Sequence, residues 1–357
     1  MKCLVDAVIA QTPQNAYLLI LPQGAENLVA DGPGVERISP YLKYYSVREQ
    51  IELPRILRRH QVDLFHSPHF MLPLVGPCPA VATIHDVIYL ACQEDLPSLV
   101  GRLYYRVMMK SALRLAARII TDSEFSRTDI TARLHADPEK IEVIYPGVDP
   151  LFQRVCDPAQ IESTLSKYGI KGDYVLYTGI YKLRKNHAGL LRAFKSFLDN
   201  GGTAQLVIAG PMNEGEPALR RLASELGIAD KVIFTGFVPD GDLPVLYSAA
   251  RVYACPSLYE GFGFTVLEAM ACGTPVVSSA ATSLPEVGGD AALYADAQNP
   301  EEFAAALQRT FSDSALRSGM IEKGLKNAAR FSWTNTANQT LAVYRDALHI
   351  SLRNSIA

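Results

Sequence analysis

Apolar residues gather in short runs rich in Val, Ile and Leu, at 17–21, 62–65, 80–84, 118–121, 141–144, 174–177, 205–209, 231–234, 251–254 and 275–277. Uninterrupted runs of this length suit strands buried on both faces of a parallel sheet. Between them the spacing becomes helical. Leu190, Leu191, Phe194, Phe197 and Leu198 share one stripe, and Leu219, Leu222, Ala223 and Leu226 form another that stops at Gly227. Strand alternating with helix predicts βαβ units, hence doubly wound α/β layers. The opening differs: Leu4, Val5, Val8 and Ile9 have helical spacing, so the first strand is expected only at 17–21, with no glycine-rich turn ahead of it.

Turn formers are stacked at Tyr145-Pro146-Gly147-Val148-Asp149-Pro150, directly after the run at 141–144. A helical stretch at 161–168 then ends at Gly169, and a new strand begins at Tyr174. The pattern predicts an N-terminal α/β domain over 1–150, a linker over 151–172 and a second α/β domain over 173–330. Residues 331–357 hold a long amphipathic helix from Trp333 to about 350, with Leu341, Val343, Tyr344 and Leu348. That helix can pack on either domain, and a return toward the N-terminal one is expected.

A length of 357 residues fits two domains. With 48% hydrophobic and 20% charged residues, packed cores are expected, and disordered, collagen-like and coiled-coil classes are excluded. A net charge of −3 gives no reason to expect nucleic acid as a partner. Cys3, Cys78, Cys92, Cys156, Cys255 and Cys272 include no close pair, so they read as core thiols in a reducing compartment. No apolar run is long enough for a bilayer, and Asp6 interrupts any signal-peptide core, so a cytoplasmic location is expected.

Two loops carry most of the chemistry. Ser257-Leu258-Tyr259-Glu260-Gly261-Phe262-Gly263-Phe264-Thr265-Val266-Leu267-Glu268 follows a buried strand and runs into a helix. Its glycines let backbone approach a ligand, the new helix offers N–H groups to anionic oxygens, and Glu260 and Glu268 are acceptors for sugar hydroxyls. The same residues also fit a turn with Glu268 merely favoured by the helix dipole. Thr178-Gly179-Ile180-Tyr181-Lys182-Leu183-Arg184-Lys185-Asn186-His187 places three cations in another strand-to-helix loop. A Lys about 4 Å from a phosphate oxygen, at an effective dielectric near 20, is worth about 4 kcal/mol before desolvation. A solvated basic turn is the plain alternative.

Other features are weaker. Asp240-Gly241-Asp242 looks like a metal-binding pair but reads better as a helix cap ahead of Pro244. His66, His69 and His85 each stand at a strand end; His85, followed by Asp86, suits a base held in one tautomer or a binder of a hydroxyl, and the three together would suit a metal. Arg102, Arg106, Lys110, Arg114 and Arg118 recur every fourth residue across 99–118, beside Leu103, Tyr104, Val107, Met108 and Leu115. Such a helix can rest on anionic lipid, or present a solvated face over a buried one.

Taken together, these motifs resemble a family-4 glycosyltransferase of the GT-B fold, with two Rossmann-like domains facing across a cleft and a C-terminal helix. Glu260 through Glu268 is similar to the family's EX7E motif, and Gly179 with Arg184-Lys185-Asn186 to its diphosphate loop. His85-Asp86, Thr121-Asp122-Ser123-Glu124-Phe125-Ser126, Tyr145-Pro146-Gly147-Val148-Asp149 and Ser283-Leu284-Pro285-Glu286-Val287-Gly288-Gly289-Asp290 follow in the expected order. The resemblance implies an enzyme that transfers a hexose, mannose or glucose, from a nucleoside-diphosphate sugar to a glycan or lipid-linked acceptor in polysaccharide biosynthesis. It implies retention of configuration, no bound metal and no cofactor. Glu268 would hold the ribose, Arg184 and Lys185 the diphosphate, and Glu260 with Gly261, Phe262, Gly263 and Phe264 the transferred sugar. Gly236, Phe237 and Val238 would border the base, and His85 would face the reaction centre. The sequence departs from the family in two places: Ile180 follows Gly179 where relatives often carry arginine, and the family's first strand and glycine loop are missing, so the chain reads as N-terminally short. A non-catalytic nucleotide-sugar binder or partner subunit, a nucleotide-sugar epimerase on the same fold, and a metal-dependent hydrolase built on His66, His69 and His85 are the rival classes.

Overall fold

The computed structural model describes residues 1–25, 32, 34–41, 47–96, 98–211 and 213–356. They form two units: one comprises residues 1–147 with 331–357, the other residues 148–330.

In the first unit the chain begins with helix α1 (Lys2–Gln11) and the parallel strands β1 (Tyr17–Ile20) and β2 (Val35–Ile38). Helix α2 (Val47–Arg59) follows, then strands β3 (Phe65–Ser67) and β4 (Ala80–Thr83), helices α3 (Ile88–Ala91) and α4 (Leu99–Leu115), strand β5 (Arg118–Thr121), helix α5 (Glu124–Leu134) and strand β6 (Ile141–Val143). The last four strands form one parallel sheet in the order β3-β4-β5-β6. The run at 62–65 starts its strand late for a definite reason. Gln61 turns to φ 51° and the Val62 amide bonds back to Leu57 O at 3.0 Å, so Val62 closes α2 before β3 can begin.

The second unit contains α6 (Pro158–Lys167), β7 (Tyr174–Thr178), α7 (His187–Asp199), β8 (Gln205–Ala209), α8 (Glu216–Glu225), β9 (Val232–Gly236) and α9 (Leu243–Ala249). It continues through β10 (Val252–Cys255), α10 (Phe264–Ala271), β11 (Val276–Ser279), α11 (Leu284–Gly288), β12 (Ala292–Ala295), α12 (Pro300–Ser312) and α13 (Ser314–Ala328). Six parallel strands lie in the order β12-β11-β10-β7-β8-β9. Every residue of β7 and β10 is buried, as their continuous apolar sequence requires. Phe194, Phe197, Leu190, Leu191, Leu206, Ile208, Phe303 and Leu307 pack into the core under this sheet. Each such side chain contributes about 1.5–3 kcal/mol by leaving water.

Three expectations change. Residues 151–172 are no free linker: they belong to the second unit, where α6 is held to α9 by Lys167 Nζ and Tyr168 OH, which donate to Asp242 Oδ2 at 2.6 and 2.7 Å. Asp242 therefore spends its carboxylate on that clasp; it stands at the N-cap of α9 without a side-chain cap bond, while Pro244 does occupy the first turn. Those two donors hold its carboxyl below the usual range. Of the cysteines, only Cys255 and Cys272 are buried, and Cys156 is exposed.

The final helix, α14 (Trp333–Ile356), lies in the first unit. Ala337 and Leu341 meet Leu4 and Val8 of α1, and Val343 and Ala347 meet Val81, Ile120 and Ile144. The Pro146-Gly147 turn marks the place where the chain leaves this unit. A Cβ on Gly147 would fall 2.4 Å from the Trp333 amide nitrogen, so only glycine lets the outgoing and returning strands of chain pass. Among the described residues, no helix is long and apolar enough to cross a membrane.

Candidate donor site and strand-end histidines

In the second unit the chain winds from β7 outward to β9, then restarts on the other side of β7 at β10 and winds outward to β12. The reversal leaves a crevice at the carboxyl ends of β7 and β10, where open α/β sheets take ligands. The two loops singled out by sequence are the ones that leave β7 and β10.

After β7, Gly179 adopts φ 144° and its amide bonds to Ala209 O at 2.9 Å. Beside it, a Cβ on Gly210 would fall 2.3 Å from Gly179 O, and the Gly210 amide bonds to Gly236 O at 2.9 Å. Gly179, Gly210 and Gly236 thus end three neighbouring strands as a row of bare backbone. Gly210 escaped notice in the sequence, although a glycine closing β7, β8 and β9 alike was a readable signal. The loop proceeds through a 3-10 turn, Leu183–Lys185, to Asn186 at φ 55°. Asn186 caps α7 by accepting from the Gly189 amide at 3.2 Å and donates to Ala297 O at 2.7 Å.

After β10, the loop is pinned by side chains that follow β11. Thr282 Oγ1 accepts from the Glu260 amide at 3.0 Å, and Ser283 Oγ donates to the carbonyls of Glu260 and Phe262 at 3.0 and 2.7 Å. Gly263 begins α10 at φ 113°, and a Cβ there would meet Leu284 Cδ2 at 2.8 Å. Phe262 is buried, whereas Phe264 is 42% exposed.

The two loops meet through charge. Glu260 is buried, with Lys185 Nζ 2.6 Å from Oε1 and an Arg184 guanidinium nitrogen 3.6 Å from Oε2. The cations expected to stand ready for a diphosphate are therefore paired with the carboxylate expected to address the sugar. Leu258 N bonds to Arg184 O at 2.7 Å, so backbone ties the loops as well. Glu268, one turn into α10, accepts from Tyr247 OH at 2.9 Å, and Tyr247 shares a 2.6 Å bond with Thr178. Its carboxyl is pushed up to about 7, chiefly by burial, with Asp149 and Asp240 adding like charge; Tyr247 and Lys185 oppose the shift. Tyr247 and Thr178 were not foreseen, because nothing local in sequence marks them as partners of a residue in α10. Near the third strand end, Phe237 is 73% exposed while Val238 is buried. A separate cavity of about 380 Å³, lined by residues such as Ser279, Tyr294, Asp296 and Glu302, contains none of the predicted site residues.

In the first unit His85 follows β4. Its Nδ1 lies 2.7 Å from Asp122 Oδ2, and its neighbour Asp86 instead accepts from the Ile88 amide at 2.9 Å. The residue that holds the ring is thus Asp122, after β5. His66 is occupied on both nitrogens, by Tyr344 OH at 2.6 Å and Thr83 Oγ1 at 2.8 Å. Among the described residues, no group of three or more His, Cys, Asp or Glu side chains could hold a metal ion, and His66, His69 and His85 form none.

The basic helix also changes. α4 ends at Leu115, and Arg118 sits on β5, where it pairs with Asp346 of α14. Arg102 is turned onto the carbonyls of Leu96 and Gln93. The buried stripe is Tyr105, Met109 and Ala112, which leaves Leu99, Val100, Leu103 and Val107 exposed.

Comparison with known proteins identifies the family and the fold. Residues 8–151 match the family model described as Glycosyltransferase Family 4, and residues 162–327 match that of Glycosyl transferases group 1. The chain is 35% identical over 291 residues to the O-antigen chain mannosyltransferase B of Escherichia coli, covering 81% of this chain and 76% of that one. It is 33% identical over 308 residues to a D-inositol 3-phosphate glycosyltransferase of Acidothermus cellulolyticus, covering 80% and 67%. Among solved structures, a glycosyltransferase from Rickettsia africae superposes with a TM-score of 0.77 at 16% identity, covering 97% of this chain and 94% of that one. Anabaena HepE in complex with UDP and glucose superposes at 0.73 with 22% identity, covering 95% and 94%. The chain belongs to the family-4 glycosyltransferases and has their GT-B fold of two Rossmann-like α/β domains.

Proposed function

We propose that this glycosyltransferase moves a hexose, mannose or glucose, from a nucleoside-diphosphate sugar to a glycan or lipid-linked acceptor with retention of configuration and without a resident metal. The observation that carries the reading is the meeting of Lys185, Arg184 and Glu260 at the β7/β10 crevice, with Glu268 close enough for Lys185 to act on its charge. Breaking the anomeric bond leaves negative charge on the diphosphate, and fixed cations stabilise that charge as it develops. Arg184 and Lys185 take that role. Glu268, oriented by Tyr247, accepts from the ribose hydroxyls, and Glu260 with the backbone of 261–264 receives the sugar. Gly236, Phe237 and Val238 border the base. His85 acts at the reaction centre. The name of the Escherichia coli relative, a mannosyltransferase, favours mannose.

Thermal unfolding with a panel of nucleoside diphosphates tests the donor site. At least one nucleotide should raise the melting temperature, and Glu268→Ala should abolish most of that rise; no protection by any nucleotide would refute the assignment. The anomeric configuration of the product, read by NMR, tests retention, and activity that survives chelation tests metal independence.

Contact with an anionic bilayer surface belongs to the same reading. Leu99 and Val100 are 78% and 79% exposed, Leu103 65% and Val107 54%. Arg106, Lys110 and Arg114 accompany them on a helix without a single carboxylate. Apolar insertion and attraction to phosphate headgroups reinforce each other on such a face. Leu103→Glu/Val107→Glu should release the protein from phosphatidylglycerol vesicles in sedimentation, and equal binding of this variant would remove the membrane role.

A further inference from the structure

The two glutamates that flank the start of α10 stand in unlike electrostatic settings. Glu260 is matched by both cations of the neighbouring loop, Lys185 at 2.6 Å and Arg184 at 3.6 Å. Among the described residues Glu268 has no ion pair, and its side chain receives one hydrogen bond, from Tyr247 OH to Oε2 at 2.9 Å. The fold fixes that donor. Tyr247, on α9, is fully buried, and its ring packs against those of Phe152 and Tyr253 with centroids 5.9 and 5.4 Å away. Its oxygen shares a 2.6 Å bond with Thr178 Oγ1 at the end of β7. With the Tyr247 proton given to Glu268, Thr178 is the donor in that pair. Oε1 is left for a ligand, and Glu268 keeps part of its surface open.

The surroundings add little to offset a charge there. Asp149, ahead of α6, and Asp240, ahead of α9, act on Glu268 as like charges, and Lys185 opposes them from its bond with Glu260. Tyr247, Tyr253 of β10 and Cys272 at the end of α10 face it too; burial raises all three, Cys272 to about 12, so none of them ionises near neutrality. Burial and the like charges push the Glu268 carboxyl up to about 7, and the bond from Tyr247 keeps it from rising further. Oε2 accepts from Tyr247 in either state, so Oε1 is the atom that carries the proton. A ribose diol brings two O–H donors: a carboxylate accepts both, whereas a neutral acid turns an O–H of its own toward them.

We propose that Glu268 is a neutral acid in the ligand-free protein below neutral pH, that the ribose of the nucleotide sugar displaces its proton, and that Tyr247 is the positioning residue that sets the pH at which this happens. Donor uptake is then coupled to the release of one proton. The O–H bond at Oε1 breaks, solvent takes the proton, and the two hydroxyls of the diol donate in its place. Acidification weakens the hold on the donor without touching the cations of the diphosphate loop. The coupling rests on the reading of Glu268 as the ribose acceptor; the ionisation of Glu268 in the free protein does not.

NMR of full-length protein labelled with carbon-13 at the glutamate carboxyls reads the free state, the Glu268 signal being the one missing from Glu268→Gln. Its midpoint should lie near 7, against about 4.3 for an ordinary glutamate. The midpoint should rise in Tyr247→Phe, which keeps the ring and removes the donor, and rise less in Thr178→Val. Calorimetric titration with GDP-mannose and UDP-glucose, in buffers of different ionisation heat, reads the coupling. Wild type should release nearly one proton per sugar nucleotide bound at pH 6 and about a tenth of one at pH 8, with affinity about tenfold lower at pH 6. Glu268→Gln should bind more weakly, with neither proton release nor this pH dependence. A merely structural Tyr247 would weaken binding equally at every pH. A Glu268 midpoint below about 5.5, or an unchanged midpoint in Tyr247→Phe, overturns the proposal. Binding without proton release at pH 6 overturns the coupling and leaves the donor site standing. Absence of nucleotide binding at every pH, with the midpoint near 7, is instead a failure of the donor reading and removes the coupling with it.

Discussion

The charged loops of the second unit and the strand-end histidines of the first hold their polar groups in opposite ways. In the second unit the chemical groups hold each other: Lys185 and Arg184 close on Glu260, and hydroxyls from a third loop fasten the backbone around it. On the proposed reading, a diphosphate enters an ion pair that is already made. In the first unit the histidine rings are held by uncharged or singly placed neighbours from other strands and from the returning helix. His85 leans on Asp122, and His66 is spent on Tyr344 of the returning helix.

The sharpest way to break this comparison is acid. His66 and His69 in the first unit and His187 in the second are all lowered to about 4, chiefly by burial. Groups held neutral in this way contribute stability that is intact above their unfolded value of about 6.5 and is lost as pH falls from there toward 4. Two of the three lie in the first unit, so that unit should lose more stability over this window and melt first. Calorimetry between pH 7 and 4 should resolve two transitions drawing apart, and a single undivided transition would contradict the assignment.

Next in size is the glycine row. Gly210→Ala places a Cβ against a carbonyl oxygen at a φ of 127°, so about 3 kcal/mol of stability should go, together with nucleotide protection. Chemical denaturation reads the first and thermal shift the second. The mutual pairing predicts opposite signs for its two ends. Lys185→Ala should weaken nucleoside-diphosphate binding by about 2 kcal/mol, roughly 30-fold. Glu260→Gln should strengthen it, because it frees both cations, while lowering transfer; calorimetric titration that found both variants weaker would show that Glu260 supports the phosphate site instead of competing for it. The smallest effect is at Glu268. A carboxyl raised to about 7 costs the fold stability as pH rises from 4.5 through 7. Glu268→Gln should therefore stabilise the ligand-free protein by about 1 kcal/mol at pH 8 and confer no gain below pH 4.5.

Most strands could be read from the sequence because a strand buried on both faces must be apolar throughout, as Tyr174–Thr178 and Val252–Cys255 are. Val35–Ile38 escaped since it carries Glu36 and Arg37 on an incompletely covered pair of strands. Ala292–Ala295 escaped because four residues of mixed burial give no period to detect. The site loops were legible for a related reason: glycines and charges after a buried strand concentrate in a few consecutive positions. Their partners were not. Asp122, Tyr247, Thr282 and Ser283 act across 37, 21, 22 and 23 residues of chain, and only strand order brings them into place. The reach of α4 was misjudged in a different way. Periodicity separates two faces of a helix but does not say which of them meets the core.

The return of α14 to the first unit has a consequence for how the molecule comes into being. A ribosome delivers residues 148–330 whole before it delivers the helix that seals the layer begun by α1, β4 and β5. The second unit can mature while the unit that started first still waits, its apolar surface open beneath Val81 and Ile120, for the last segment to emerge.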